Sequence, residues 1–271
     1  MAGDEKDLIS HISLMSEGIY EVRGAKPGPR VAIFCGVHGN ERAGIMAVDA
    51  LRQALSIDAG TVVFVYANLP AMEANQRMIH ANLNRLFYRG ASGETYEYPR
   101  AHSLMDVLDG CDALLDLHAY RAAVLRERAI PFAICEERSL AIAAQLPVNT
   151  VLTGFTAIQI GGSHGYMDQQ DKVGICVELG AIECPEPCVE LGKNVIMSFL
   201  AAVGCCSANQ MTPRSQTVLA LHMMYKKTHP DFHLARSFVS FEQVQAGEHI
   251  ATENGLDLYA HESSTILFPS N

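Results

Sequence analysis

His38 and Glu41 close the stretch Val31-Ala-Ile-Phe-Cys-Gly-Val-His-Gly-Asn-Glu, an H-x-x-E spacing that offers an imidazole and a carboxylate to one metal ion. Alone the pair is a weak signal, because histidine and glutamate often meet at this spacing on a solvated helix. The context strengthens it. Residues 31–34 are an apolar, β-rich run broken by Gly36 and Gly39, so the pair belongs on a strand-to-helix turn. That turn lies at the carboxyl edge of a sheet, where open α/β sheets place their ligands. A second apolar run, Asp112-Ala-Leu-Leu-Asp-Leu-His, ends in His118. A third ligand far away in sequence is the usual construction of a catalytic zinc site, with a fourth position left for water. Asp116 precedes His118 by two and faces the same way on a strand. It reads equally as a partner that orients His118 or as a strand-end aspartate.

In Gly174-Ile-Cys-Val-Glu-Leu-Gly a single carboxylate, Glu178, interrupts an apolar strand. Burying an unpaired carboxylate costs several kcal/mol or raises its pKa, so the position favours a functional group. A metal-activated water, whose pKa falls to about 7, needs a nearby base of this kind. The segment Asn75-Gln-Arg-Met-Ile-His-Ala-Asn-Leu-Asn-Arg crowds Arg77, Asn84 and Arg85 into a loop-like stretch. Such a cluster suits anions: one arginine could hold a substrate carboxylate while another stabilises a developing oxyanion. By itself it would read as a solvated surface loop. His80, His102, His164 and the histidines from His222 to His261 are assigned no chemistry.

These groups need a scaffold, and the pattern supplies one. Strands are expected over residues 30–37, 61–67, 113–118, 131–135 and 174–179, with helices over 41–55, 99–108, 139–146 and 187–203. The alternation is that of an α/β sheet covered by helices. After residue 203 a short polar stretch (204–215) precedes alternating segments, with turns at Ala246-Gly247-Glu248 and Glu253-Asn254-Gly255, as in a small all-β unit. With 271 residues the chain can bury a substantial core. No apolar run reaches the roughly 20 residues of a membrane span, and residues 1–7 are polar and acidic rather than a signal peptide, so a soluble, cytoplasmic protein without a membrane partner is expected. A net charge of −10 argues against sequence-independent nucleic-acid binding. The eight cysteines form no C-x-x-C pair and read as reduced thiols.

Taken in order, His38-Gly-Asn-Glu41, Asn84-Arg85 within N-L-N-R-L-F, Asp116-Leu-His118 and Glu178-Leu-Gly180 resemble the succinylglutamate desuccinylase/aspartoacylase family, relatives of the zinc carboxypeptidases. The tail, with Ile250-Ala-Thr-Glu-Asn-Gly255 and Ser264-Thr-Ile-Leu-Phe-Pro269, resembles the small β domain that follows the catalytic domain in the desuccinylases. The resemblance implies an α/β, zinc-carboxypeptidase-like mixed sheet flanked by helices over residues 1–205, and a small barrel-like β domain over 206–271 that caps the active site. It further implies that His38, Glu41 and His118 bind one zinc ion, that Glu178 is general base and proton shuttle, and that Arg77 polarises the scissile carbonyl. Asn84 and Arg85 would hold the substrate's α-carboxylate. The expected activity is hydrolysis of the amide bond of a small N-acyl amino acid. Homo-oligomerisation stays open.

One departure bears on the substrate. Members acting on acidic substrates carry an arginine ten residues before the catalytic glutamate, and here that position is Asp168. A negative charge there disfavours a second substrate carboxylate, so a neutral or cationic N-acyl amino acid is at least as compatible. Two alternatives remain: a carboxypeptidase or amidase acting on short peptides, and a catalytically idle metal- and ligand-binding relative.

Overall fold

The computed structural model describes residues 12–121, 129–207 and 215–270. Residues 1–7, on which the reading of the N-terminus rests, and most of the polar stretch 204–215 lie outside them. The large unit is built on strands β1 (Ile12–Ser16), β2 (Ile19–Arg23), β3 (Lys26–Cys35), β4 (Ala59–Tyr66), β5 (Ala113–Tyr120), β6 (Phe132–Cys135), β7 (Thr150–Thr153), β8 (Val173–Ala181) and β9 (Thr217–Ala220). They form one nine-stranded mixed sheet in the order β1-β2-β4-β3-β5-β8-β6-β7-β9. The middle, β4-β3-β5-β8, is parallel, while β2 and β6 run antiparallel to β4 and β8.

Helices α1 (Arg42–Arg52), α2 (Leu69–Glu73), α3 (Glu97–Asp109), α4 (Leu140–Ala143), α5 (Phe155–Ile158), α6 (Ser163–Asp168) and α7 (Glu186–Ala202) cover the sheet. Alternate side chains of β3 serve opposite faces. Val31, Ile33 and Cys35 join a core with Ala47 and Val48 of α1 and Val195, Ile196 and Phe199 of α7. Ala32 and Phe34 join a second core with Leu104, Met105 and Leu108 of α3 and Met167 of α6. Both faces of the strand are therefore dry, which is why its sequence is an unbroken apolar run rather than an alternating one. No helix among the described residues is long and apolar enough to cross a membrane.

The expected strands and the long helices α1, α3 and α7 form close to their predicted positions. The hairpin β1-β2 was not anticipated, because Glu21 and Arg23 interrupt its apolar pattern. Glu21 is buried all the same, and its carboxylate accepts hydrogen bonds from Arg23 Nε and Arg30 Nη1, each at 2.5 Å. The bond from Arg30 comes from β3, which β4 separates from β2 in the sheet, and such a partner leaves no sign in local sequence. The start of the β tail also differs from expectation. Residues 217–220 were expected in the small β unit but pair in parallel with β7 at the edge of the large sheet, and the large unit extends to His222.

The described residues from Met223 onward, together with Arg121 and Ala129, form the second unit. It contains β10 (His233–Leu234), β11 (Glu242–Val244), β12 (His249–Glu253), β13 (Leu256–Tyr259) and β14 (Ser264–Ile266). These make a three-stranded antiparallel sheet, β10-β12-β13, and a two-stranded one, β11-β14. Asn254 and Gly255 link β12 to β13 with φ of 52° and 72°, the two positive angles that a type I′ hairpin turn demands and that Asn-Gly tolerates.

Candidate active site

The parallel strands deliver the candidate groups to one edge. β3 ends at Cys35, and His38 and Glu41 lie on the turn into α1, with Glu41 as its N-terminal flanking residue. His118 and Glu178 stand opposite each other on β5 and β8. The turn is tight because it packs against the backbone of α2: a Cβ on Gly39 would lie 2.0 Å from the carbonyl carbon of Ala71. Gly39→Ala is therefore expected to displace His38 and Glu41 and lower the bound metal per chain severalfold, as read by elemental analysis of purified protein. Wild-type metal content in that variant would contradict this packing.

His38, Glu41 and His118 are all buried, and one ligand atom from each lies within 4.8 Å of the others. Glu41 is the hub. Its Oε1 is 2.7 Å from His38 Nδ1 and accepts from Arg77 Nη1 at 2.9 Å. Its Oε2 is 2.8 Å from His118 Nδ1 and accepts from the backbone amide of Ala119 at 3.0 Å. The far nitrogen of each histidine faces an oxygen: His38 Nε2 is 3.0 Å from Asn82 Oδ1, and His118 Nε2 is 3.0 Å from Asp116 Oδ2. Both Nδ1 atoms also face the Glu41 carboxylate, and a cation held there would take the two Nδ1 lone pairs and leave the protons on Nε2, toward Asn82 and Asp116, although His118 Nε2 makes no hydrogen bond among the described residues. His38 Nδ1, though near Glu41, makes no hydrogen bond with it and is otherwise an orphaned buried nitrogen. Two imidazole nitrogens and a carboxylate are a donor set that fits zinc.

The electrostatics agree with a cation site. Burial would raise Glu41, but His118 and His38 outweigh it and hold its carboxyl well below the usual range. Burial pulls His118 down, yet Asp116 and Glu41 prevail and raise it well above an ordinary histidine. Surroundings that stabilise a proton on an imidazole stabilise positive charge generally. Glu178 goes the other way. Desolvation, reinforced by the charge of Glu41, pushes its carboxyl up to about 8, and its Oε2 is shielded without a hydrogen-bond partner among the described residues. Two neighbouring carboxylates driven apart in this manner are suited to different tasks, one to holding a cation and one to moving a proton.

Around this pair sit the polar groups of residues 75–85. Arg77 reaches Glu41 with nearly half of its side chain still exposed. Asn84 Oδ1 accepts from Ser163 N at 3.2 Å, leaving its amide NH2 for another partner, and Arg85 Nη1 donates to the Asn84 carbonyl at 2.6 Å. Burial, then the charge of Arg77, lowers the pKa of Arg85. Asp168 lies at the end of α6, 3.3 Å from Arg138 Nε. Four contributors escaped the sequence reading. Asn82 joins His38 to the Asn84 backbone, Ser163 Oγ donates to Asp116, and Glu97 binds the amides of Ile79 and His80. His164, assigned no chemistry above, is buried beside Gly162 with neither ring nitrogen hydrogen-bonded among the described residues. Only the N-L-N repeat hinted at Asn82; nothing local marks the others.

The profile of the succinylglutamate desuccinylase/aspartoacylase catalytic domain matches residues 27–208. The chain belongs to this family, as the motifs implied. It is 27% identical over 301 aligned positions to the succinylglutamate desuccinylase of Idiomarina loihiensis, covering 96% of the chain and 84% of that protein. The desuccinylase of Pseudoalteromonas atlantica is 30% identical over 110 residues, a match that spans 36% of the chain and only 31% of that relative's length. In fold, the chain resembles the crystal structure of succinylglutamate desuccinylase from Vibrio cholerae, with a TM-score of 0.81 at 21% identity over 96% of the chain and 83% of that structure.

Proposed function

We propose that the protein is a zinc-dependent deacylase that hydrolyses the amide bond of a small N-acyl amino acid. The observation that carries this reading is the buried His38, Glu41, His118 trio with the carboxylate of Glu178 across the β5-β8 ladder from His118. His38 Nδ1, His118 Nδ1 and the Glu41 carboxylate would hold the ion. When bound, zinc supplies Lewis acidity toward the carbonyl oxygen and lowers the pKa of a water to about 7.

The residues of the chain do the rest. Glu178 takes a proton from the attacking water as its oxygen bonds to the amide carbon. Arg77 donates hydrogen bonds to the oxygen on which negative charge develops. The C–N bond then breaks, and Glu178 passes the proton to the departing amine, leaving a free amino acid and a carboxylic acid. Asn84 and Arg85 hold the substrate's α-carboxylate, which fixes the amide in register with Glu178. Asp168, paired with Arg138, offers no positive charge to a second carboxylate. Acyl derivatives of neutral or basic amino acids are therefore expected to be turned over at least as well as acidic ones, and the reaction is placed in the cytoplasm.

Removal of the metal tests the reading. Dialysis against a chelator is expected to abolish release of free amine, and addition of one equivalent of zinc to restore it. Because zinc binds only the folded site, it should also raise the Tm, with about 4 kcal/mol of stabilisation at a free concentration a thousand times the Kd. Full turnover by protein shown to be metal-free would overturn the zinc assignment.

A further inference from the structure

We propose that Glu97 is a positioning residue: it fixes residues 77–85, and through them Arg77, Asn84 and Arg85, by gripping backbone amides rather than substrate. The inference rests on the deacylase reading above. Residues 77–82 form no helix or strand, so their amides find no partner in a ladder. Glu97, fully buried as the first residue of α3, supplies one: its Oε1 accepts from the amides of both Ile79 and His80 at 3.0 Å. Burial raises this carboxyl, but the amides of His80, Glu97 itself, Ile79 and Ala81 outweigh that and keep it below the usual range. The bonds are therefore charge-assisted, the stronger kind.

The two ends of the segment are held by the site itself. Gly39 N donates to the Arg77 carbonyl at 3.4 Å, and Asn82 Oδ1 accepts from Asn84 N at 3.0 Å while facing His38. Between these ends Glu97 ties the backbone of Ile79 and His80 to α3, which is anchored by Leu104, Met105 and Leu108 in the second core that Leu83 also joins and Ala81 packs against. Without it, the stretch between Arg77 and that packing loses its hydrogen-bonded anchor, and Arg77 loses its fixed spacing from the clamp formed by Asn84 and Arg85. A displacement of about 1 Å in groups that orient a reaction costs roughly a hundred-fold in rate.

The test compares the zinc-loaded full chain with Glu97→Ala and Glu97→Gln, using zinc content, Tm, amide exchange and kcat and KM on the N-acyl amino acid that wild type turns over best. Glu97→Ala is expected to keep its zinc, to exchange faster at residues 79–81 than wild type while β5 and β8 stay protected, and to lose about a hundred-fold in kcat/KM, with KM raised as well as kcat lowered. Glu97→Gln keeps an acceptor oxygen at the same reach and is expected to return to within about ten-fold of wild type. Should the alanine variant fail to fold, Glu97→Asp carries the same test, because it keeps the charge but draws the carboxylate back by one methylene. Wild-type kcat/KM in the alanine or aspartate variant, or equal losses in the glutamine and alanine variants with exchange unchanged, would overturn the positioning role alone. A zinc-loaded wild type without turnover on any N-acyl amino acid would instead sink the deacylase reading, and this inference with it.

Discussion

Glu178→Gln is expected to reduce turnover by about a hundred- to ten-thousand-fold, the range for loss of a general acid–base group, while leaving zinc and substrate binding in place. The amide has the size of the carboxyl but cannot accept the proton of the attacking water or return it to the amine. In the metal-free chain this carboxyl is pushed up to about 8, and a cation bound beside it would bring it down toward neutrality, where it can both take up and return a proton. Stability should move in the opposite direction from activity. A carboxyl whose pKa rises on folding binds protons more tightly in the folded state, so it costs stability once the pH exceeds the ordinary carboxylate value. Glutamine removes that cost, and the Tm of the metal-free variant at neutral pH is expected to equal or exceed that of metal-free wild type. Calorimetry and single-turnover kinetics on the same preparations check both halves. A variant that is inactive because it has lost zinc would show Glu178 holding the metal rather than serving as the base.

Arg77→Ala is expected to lower kcat by about a hundred- to a thousand-fold, the usual effect of removing one oxyanion donor, with zinc content unchanged. Arg77 lies 2.9 Å from Glu41 Oε1, so its guanidinium stands beside the site where the carbonyl would be polarised. Glu41 keeps its bond from the Ala119 amide and its contacts with both histidines when Arg77 is removed, which is why the metal should stay. Arg85→Ala should divide its effect differently. Arg85 is assigned to the substrate carboxylate, a contact present before as well as during the reaction, so its loss should appear mainly as raised KM. Near-normal kcat in Arg77→Ala would show that the oxyanion has another donor.

The groups legible in the sequence are those whose position is written in local pattern. His38, Glu41, His118 and Glu178 each interrupt or end an apolar run, and in a parallel sheet the ends of adjacent runs meet at one edge. The strands β3, β4 and β5 were legible for the same reason, being dry on both faces, and β8 because its run from Gly174 to Val177 is buried. What escaped depends on partners distant in sequence. Glu97 resembles any acidic residue in the first turn of a helix until the amides of Ile79 and His80 are seen on its carboxylate. Ser163 acquires meaning only beside Asp116, and Glu21 makes a polar-looking segment into a strand through Arg30. The edge strand β9 reads like the β tail that follows it, because a short alternating segment carries no mark of which sheet it will join. Asp168 shows the reverse limit. Its place in the chain marks a departure from the family pattern, but its pairing with Arg138 is a tertiary fact.

The central claim is tested most directly by measuring release of free amine from a panel of N-acyl amino acids with acidic, neutral and basic side chains, using zinc-loaded wild type beside Glu178→Gln. The account predicts turnover by wild type, with neutral or basic side chains accepted at least as well as acidic ones, and loss of that turnover in the variant. Absence of turnover across the panel by wild type that holds its zinc, or equal turnover by both proteins, would contradict it.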